Sequence, residues 1–90
     1  MHILITFDPR KAMSNVIKHG VDFAEAASCL FDPNALVQED DSAVGKRRWR
    51  MLGLSEKGRL LVVIYTLLDN DTVRLISARR ATKTEVSFYA

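Results

Sequence analysis

The chain has little of several residue types on which whole classes of protein depend. Cys29 is the only cysteine, so no internal disulfide can form, and its place in an apolar helical pattern predicts a core residue. The only histidines, His2 and His19, lie far apart, and no run of residues has metal-ligand spacing. No arrangement of serine or cysteine with histidine suggests a nucleophile. These absences disfavour a metallonuclease and a serine or cysteine hydrolase, and no cofactor is expected.

Long hydrophobic runs are also missing. No apolar stretch approaches the ~20 residues of a membrane span, and the first residues lack a signal-peptide pattern. The sequence contains no repeat or low-complexity tract. We therefore expect a cytoplasmic protein with no membrane contact, in which residues 1–90 form a single domain.

Charge is distributed unevenly along the chain. Residues 1–45 hold three basic and seven acidic side chains, whereas residues 46–90 hold ten basic and four acidic ones. The net charge is only +2, but the C-terminal half alone carries +6. This asymmetry predicts a basic face suited to a phosphate backbone or to an acidic protein partner.

Hydrophobic periodicity and capping residues predict the order β-α-α-β-β-β-β-α. Asp8, Asp22 and Thr82 stand where helix N-caps are expected, and Gly20 suits a left-handed helix end. An acidic loop is expected at 39–42. We predict an α+β fold, with two N-terminal helices on one face of a mostly antiparallel sheet and a short C-terminal helix. The predicted strands are 3–7, 35–37, 47–53, 60–65 and 72–78, and the predicted helices start near 9, 23 and 83 and end near 19, 31 and 89.

Arginines on the predicted strands are the main chemical feature. If the last strand alternates regularly, Arg74 and Arg80 share one face and Arg79 points to the other. Arg79 and Arg80 could then grip one phosphate only if the strand ends or bulges there. We expect the cations of the second half to converge in one shallow hollow of the sheet: Arg48, Arg50, Arg74, Arg79 and Arg80.

Two groups of segments resemble one protein family. The N-terminal group is FDPRKA at 7–12, Asn15 and KHGVDFAEA at 18–26, and the C-terminal group is GRLLVV at 58–63 and LISARRAT at 75–82. In this order they are similar to the signatures of BrnT toxins. The resemblance departs at the end of the chain, where residues 86–88 replace the basic residues that often follow Glu85 in the family.

The resemblance implies a RelE-like fold and a ribonuclease that arrests translation as the toxin of a bacterial type II toxin–antitoxin system. It also implies a BrnA-like antitoxin with a DNA-binding element, whose complex with the toxin represses its own promoter. A toxin homodimer within that complex is possible. The alternative from the residues alone is a non-catalytic module that binds an antitoxin or RNA. A DNA-binding protein is disfavoured, because no helix carries side chains suited to the major groove.

The chemistry of RNA cleavage selects the candidate catalytic residues. Without a metal, the 2′-oxygen attacks phosphorus, and the protein must accept a proton, stabilise the phosphorane and protonate the 5′-oxygen. Arg79, Arg80 and Arg48 could hold the phosphate, but arginine is a poor base. Histidine titrates near pH ~6.5, so His19 is a candidate base, with Lys18 beside it. For both, the alternative is a charge that complements the helix dipole.

Four other side chains are candidates for binding RNA. Arg50, Arg74 and Lys83 could contact phosphates, where the alternative is a surface salt bridge or an antitoxin contact. Trp49 could stack on a base, but a tryptophan in an alternating strand is more often part of the core.

Overall fold

The computed structural model describes residues 3–40 and 47–89. Its strands are β1 (Leu4–Phe7), β2 (Leu36–Asp40), β3 (Arg48–Leu54), β4 (Leu60–Leu67) and β5 (Thr72–Arg80). Its helices are α1 (Pro9–His19), α2 (Phe23–Ser28) and α3 (Lys83–Val86), and a 3-10 turn, Cys29–Phe31, follows α2. The predicted order of elements is confirmed. No helix among the described residues is long and apolar enough to cross a membrane.

The predicted helix caps form as the sequence indicates. Asp8 accepts a hydrogen bond from the Arg10 amide at 2.9 Å, and Asp22 accepts one from the Glu25 amide at 2.7 Å. Gly20 ends α1 with φ 68°, a left-handed conformation that residues with a Cβ adopt at a cost. These caps fix where each helix begins and ends relative to the sheet.

The sheet has the strand order β1-β5-β4-β3-β2. Only β1 is parallel to its neighbour, β5, and the other pairs are antiparallel, which confirms a mostly antiparallel sheet. Residues from α2 and the segment before it, including Val21 and Phe23, pack against Leu61, Val63 and Leu75. We call the covered side the helix face and the other side the open face.

Cys29 is fully buried in this core, which confirms the predicted structural role. Burial raises the pKa of its thiol to about 12, so the thiolate is not populated at neutral pH.

Several boundaries differ from the prediction: β2, β4 and β5 run further, and α2 ends at Ser28 rather than near 31. Glu39 and Asp40 belong to β2 rather than to an acidic loop, because they pair with Trp49 and Arg48 across the antiparallel ladder. The Glu39 carboxylate also forms an ion pair with Arg47 at 2.8 Å. The rest of the predicted acidic loop, at 41–42, lies outside the described residues. At the C-terminus, α3 ends at Val86, which is earlier than the predicted residue 89.

A bulge in β5 corrects the predicted distribution of arginines. Ile64 pairs with Ser77 and Tyr65 pairs with Leu75, so Ile76 has no partner in the ladder. The extra residue reverses the alternation, because side chains on the two sides of a bulge no longer keep a period of two. The expectation that Arg74 and Arg80 share a face is therefore wrong. Register puts Arg74 on the open face with Arg79, and Arg80 on the helix face.

Candidate functional site

The open face carries arginines above an apolar floor. Arg50 lies opposite Ile64, and Arg79 lies opposite Val62, which in turn pairs with Leu52. A hollow of about 520 Å³ opens here between β2, β3, β4 and the C-terminal segment. The lining is partly apolar and partly charged: Leu36, Val37, Gln38, Arg50, Leu52, Val62, Glu85 and Phe88.

Arg79 is held at the edge of this hollow by Glu85. Its Nη1 and Nη2 donate to the two carboxylate oxygens of Glu85, each at 2.8 Å. The same carboxylate accepts a hydrogen bond from the Thr82 amide at 2.8 Å, which completes the predicted capping box of α3. The bond from Arg79 lowers the pKa of Glu85 to about 2, so this carboxylate stays ionised and is a weak base.

The C-terminal segment is fixed at a second point. The Tyr89 hydroxyl donates to Asp32 Oδ2 at 2.6 Å, and Leu54 N donates to the same oxygen at 2.8 Å. The segment from α3 to Tyr89 is thus anchored at both ends, with Phe88 between the anchors. Phe88 is 66% exposed and lines the hollow, so it offers an aromatic surface beside Arg50.

A second group of basic side chains lies where α1 and β5 end. Asn15 is buried, and its amide donates to the Ala78 carbonyl at 2.7 Å while accepting from the Ala78 amide at 3.0 Å. These two hydrogen bonds join α1 to β5. Asn15 lies one helical turn before His19, and Ala78 lies two residues before Arg80. We call the surface formed by Lys18, His19 and Arg80, all exposed, the rim.

A buried ion pair between Glu25 and Arg59 lies next to the end of α1. Glu25 is almost completely buried, and its carboxylate accepts bonds from Arg59 Nε at 2.8 Å, from Arg59 Nη2 and from Ser55 Oγ at 2.7 Å. The Arg59 hydrogen bonds lower the pKa of Glu25 despite its burial. Arg59 Nη2 also donates to the Gly20 carbonyl at 3.5 Å, next to His19. The pair therefore holds the end of α1 on the sheet.

The structure divides the predicted catalytic residues between two surfaces. Lys18 and His19 end α1, and Arg80 ends β5 on the helix face. Arg79 and Arg48 lie on the open face, so the expectation that the arginines converge in one hollow is wrong. Of these five, only Arg79 forms an ion pair within the described part of the chain.

The predicted RNA-binding residues also divide. Arg50 and Arg74 lie on the open face, and Lys83 is exposed in the first turn of α3. Trp49 lies on the helix face opposite Tyr65, where it packs against the core. The Arg47 guanidinium is 5.2 Å from the centre of its ring, so one surface of the indole is already occupied.

Sequence reasoning missed three residues that shape these surfaces. Asn15 is a polar residue within an apolar helical pattern, which signals a buried hydrogen-bonding role. The partnership of Arg79 with Glu85 could have been found from the capping box, which brings the carboxylate back towards the strand end. Phe88 carried no signal, because its position depends on the distant bond between Tyr89 and Asp32.

Together these features define a small α+β protein with cationic surfaces suited to a polyanion. The model of a family described as the ribonuclease toxin BrnT of type II toxin–antitoxin systems matches residues 7–85. A 1.1 Å crystal structure of the Brucella abortus ribonuclease toxin BrnT is similar, with a TM-score of 0.69 and 25% sequence identity. The similarity covers 90% of this chain and 99% of that chain. A comparison with curated proteins found no significant match.

The chain belongs to the BrnT family of ribonuclease toxins, because the family model covers most of its length. It is therefore the toxin of a type II toxin–antitoxin system, and the class implies RNA as target and an antitoxin as partner. Membership favours the ribonuclease over the non-catalytic binding module.

Proposed function

We propose that this toxin cleaves RNA without a metal ion and that the reaction takes place at the rim. The observation that carries this proposal is the bond between Asn15 and Ala78, which sets the end of α1 beside the end of β5. This bond supports a site in which His19, Lys18 and Arg80, all exposed, act on the same phosphodiester. These are the residue types that proton transfer and charge stabilisation at a phosphodiester require.

Each rim residue has a separate role. His19 accepts the proton of the 2′-hydroxyl as the 2′-oxygen attacks phosphorus, and Arg80 neutralises the charge that develops on the phosphorane oxygens. The Lys18 ammonium group donates a proton to the 5′-oxygen as the bond from phosphorus to that oxygen breaks. The products are a 2′,3′-cyclic phosphate and a 5′-hydroxyl, so no water enters the first step.

The open face binds the rest of the RNA strand. Arg50, Arg74 and Arg48 contact flanking phosphates, and Arg79 remains bound to Glu85 until a phosphate displaces that carboxylate. Phe88 stacks on a base, a contact that tolerates any sequence because every base has a π-face. Lys83 extends the positive surface along α3.

Digestion of a synthetic RNA in EDTA tests the mechanism. We expect the wild-type toxin to cut, with cyclic phosphate and 5′-hydroxyl ends identified by mass spectrometry. His19→Gln should lower the rate by a factor of roughly 10² or more, the usual loss on removing a general base. Lys18→Gln should also slow cleavage, because it removes the proton donor for the 5′-oxygen. Its matched control is Lys57→Gln in the exposed turn before β4, which should cut at the wild-type rate. Intact RNA in EDTA, or products with 5′-phosphates, would contradict the proposal.

We further propose that the toxin acts in the cytoplasm, arrests translation and is neutralised by a BrnA-like antitoxin with a DNA-binding element. The family membership supports this proposal, because a type II antitoxin is a protein that binds its toxin. The complex would contain a toxin homodimer and bind its own promoter. Light scattering and a promoter mobility-shift assay on the co-expressed complex test the stoichiometry and the DNA binding. A monomeric toxin in the complex or no promoter shift would contradict these points.

A further inference from the structure

The outer side of α1 exposes apolar side chains that no described element covers. Met13 is 69% exposed and Ile17 is 79% exposed, and both lie one helical turn apart on the same side. Val16 and Phe7 extend the patch to the edge of a groove of about 500 Å³, whose floor includes Phe23. Adjacent exposed apolar residues of this kind mark a site of protein contact more often than single ones do.

Two cations lie in the first turn of α1, Arg10 next to the patch and Lys11 on the side of the helix turned away from Met13, and neither complements the helix dipole there. Arg10 and Lys11 occupy the first turn, which contains no acidic residue, and positive charge is unfavourable at that end of a helix dipole. Neither side chain forms an ion pair within the described ranges. The two nearby carboxylates, Asp8 and Asp22, are engaged as helix N-caps.

We propose that Phe7, Arg10, Lys11, Met13, Val16 and Ile17, together the α1 surface, form the docking site for the antitoxin. The segment that binds here is amphipathic, with apolar side chains on Met13 and Ile17 and acidic side chains facing Arg10 and Lys11. The proposal deepens the proposed function, because it assigns the toxin–antitoxin contact to a specific surface.

Other occupants fit the α1 surface less well. An RNA backbone would satisfy the cations but would leave Met13 and Ile17 exposed or facing charged phosphates. A second copy of this chain, docked through a two-fold axis, would bring the same surface of each copy together. Arg10 and Lys11 would then face either the same cations or the Lys18 end of the other α1, depending on whether the helices run parallel or antiparallel, and like charges across an interface are strongly disfavoured.

The position of the α1 surface also suggests how the antitoxin inhibits. Lys18 and His19 follow Ile17 in the last turn of α1, so a bound segment that continues past the end of α1 would lie over the rim. This step rests on the proposed function. Neutralisation then requires only that the bound segment exclude RNA, with no conformational change in the toxin.

The apolar half of the proposal is tested by Met13→Ser combined with Ile17→Ser. We expect the affinity for the purified antitoxin to fall by roughly 100-fold, about tenfold for each anchor side chain. The matched control is Leu67→Ser combined with Leu68→Ser, since these residues are 51% and 48% exposed at the far end of β4. An equal loss in both pairs, or an unchanged affinity for the α1 pair, would overturn the proposal.

The charged half is tested by Arg10→Glu combined with Lys11→Glu. Association with the antitoxin should slow at least tenfold at low salt, and the difference should shrink as salt screens the charges. Lys57→Glu is the control and should associate at the wild-type rate. Unchanged association would overturn the proposal. A free toxin that is a dimer, and that Met13→Ser with Ile17→Ser converts to monomers, would show that a second copy of the chain occupies the α1 surface.

RNA cleavage by the free toxin separates this proposal from the previous one. The apolar α1 variant should not change that cleavage, because neither Met13 nor Ile17 lies at the rim. The charge-reversed variant is compared at saturating RNA, where a weaker attraction for RNA no longer limits the rate. If His19→Gln leaves cleavage intact while the α1 variants lose antitoxin affinity, the reaction site is wrong and the docking surface stands. The reverse pattern keeps the reaction site and rejects the docking surface.

Discussion

The buried Glu25 carboxylate provides the sharpest test of the forces that hold the rim. Glu25→Gln preserves the volume of the side chain but removes its charge and one of its two acceptor oxygens. Three donor groups converge on the wild-type carboxylate, two from Arg59 and one from Ser55. The side-chain amide of glutamine would therefore point its N–H groups at another donor, where no hydrogen bond can form.

The magnitude follows from the burial of the carboxylate. A hydrogen bond to a charged group contributes about 1.5–3 kcal/mol, and a buried donor left unpaired costs a similar amount. The Arg59 side chain is 28% exposed and can turn towards water, which reduces the loss. We expect Glu25→Gln to lower the free energy of unfolding by about 2–3 kcal/mol, which corresponds to roughly 10–20 °C in Tm for a domain of this size.

Thermal unfolding at several pH values is the assay. The pKa of Glu25 is lowered in the folded state, so its stabilisation is complete above the ordinary value of 4.5 and is lost as pH falls towards the folded pKa. The gap between wild type and Glu25→Gln should therefore narrow as the pH falls below about 4.5. The control is Glu56→Gln in the exposed turn, which should match wild type. A difference in the free energy of unfolding below about 1 kcal/mol at pH 7, or a difference that does not change with pH, would refute the reasoning.

Two further predictions concern the C-terminal segment. Because the pKa of Glu85 is about 2 in the folded state, the contribution of this carboxylate to the free energy of unfolding is present above pH 4.5 and is lost as pH falls towards 2. Arg79 is more than a third exposed, so Glu85→Gln should lower the free energy of unfolding by only about 1 kcal/mol at pH 7, as measured by urea unfolding. A loss of stability that persists at pH 2 would contradict the assignment. Tyr89→Phe should remove the anchor on Asp32, and amide exchange at Phe88 should become faster while exchange in β4 stays unchanged. Equal protection of Phe88 in both proteins would show that the segment is held by other contacts.

The sequence predicted those features that depend on neighbouring residues. The caps at Asp8 and Thr82 and the glycine at the end of α1 act within a few residues, so their signals are local. The central strand β4 is apolar on both faces, and its pattern alone identified it. The family signatures then supplied the activity, which no local pattern of these residues could indicate.

What could not be predicted depends on contacts between distant segments. The bulge at Ile76 arises from the registers of Ile64 and Tyr65, and nothing in the sequence of β5 indicates which residue is extruded. Its consequence is large, because it moves Arg74 to the face of Arg79 and leaves Arg80 beside α1. Arg79 and Arg80 lie on different surfaces because the strand is regular from Ser77 to Arg80 and the bulge does not lie between them.

The central claim is that the rim performs the reaction while the open face binds the strand. Its most direct test is single-turnover cleavage and RNA affinity measured in parallel for Arg80→Gln and Arg74→Gln. The account predicts that Arg80→Gln slows the cleavage step by a factor of roughly 10² or more with little change in affinity, as expected for a group that stabilises transition-state charge. It predicts that Arg74→Gln weakens RNA binding several-fold and leaves the cleavage step unchanged. The opposite pattern, with cleavage dependent on Arg74 and indifferent to Arg80, would contradict it.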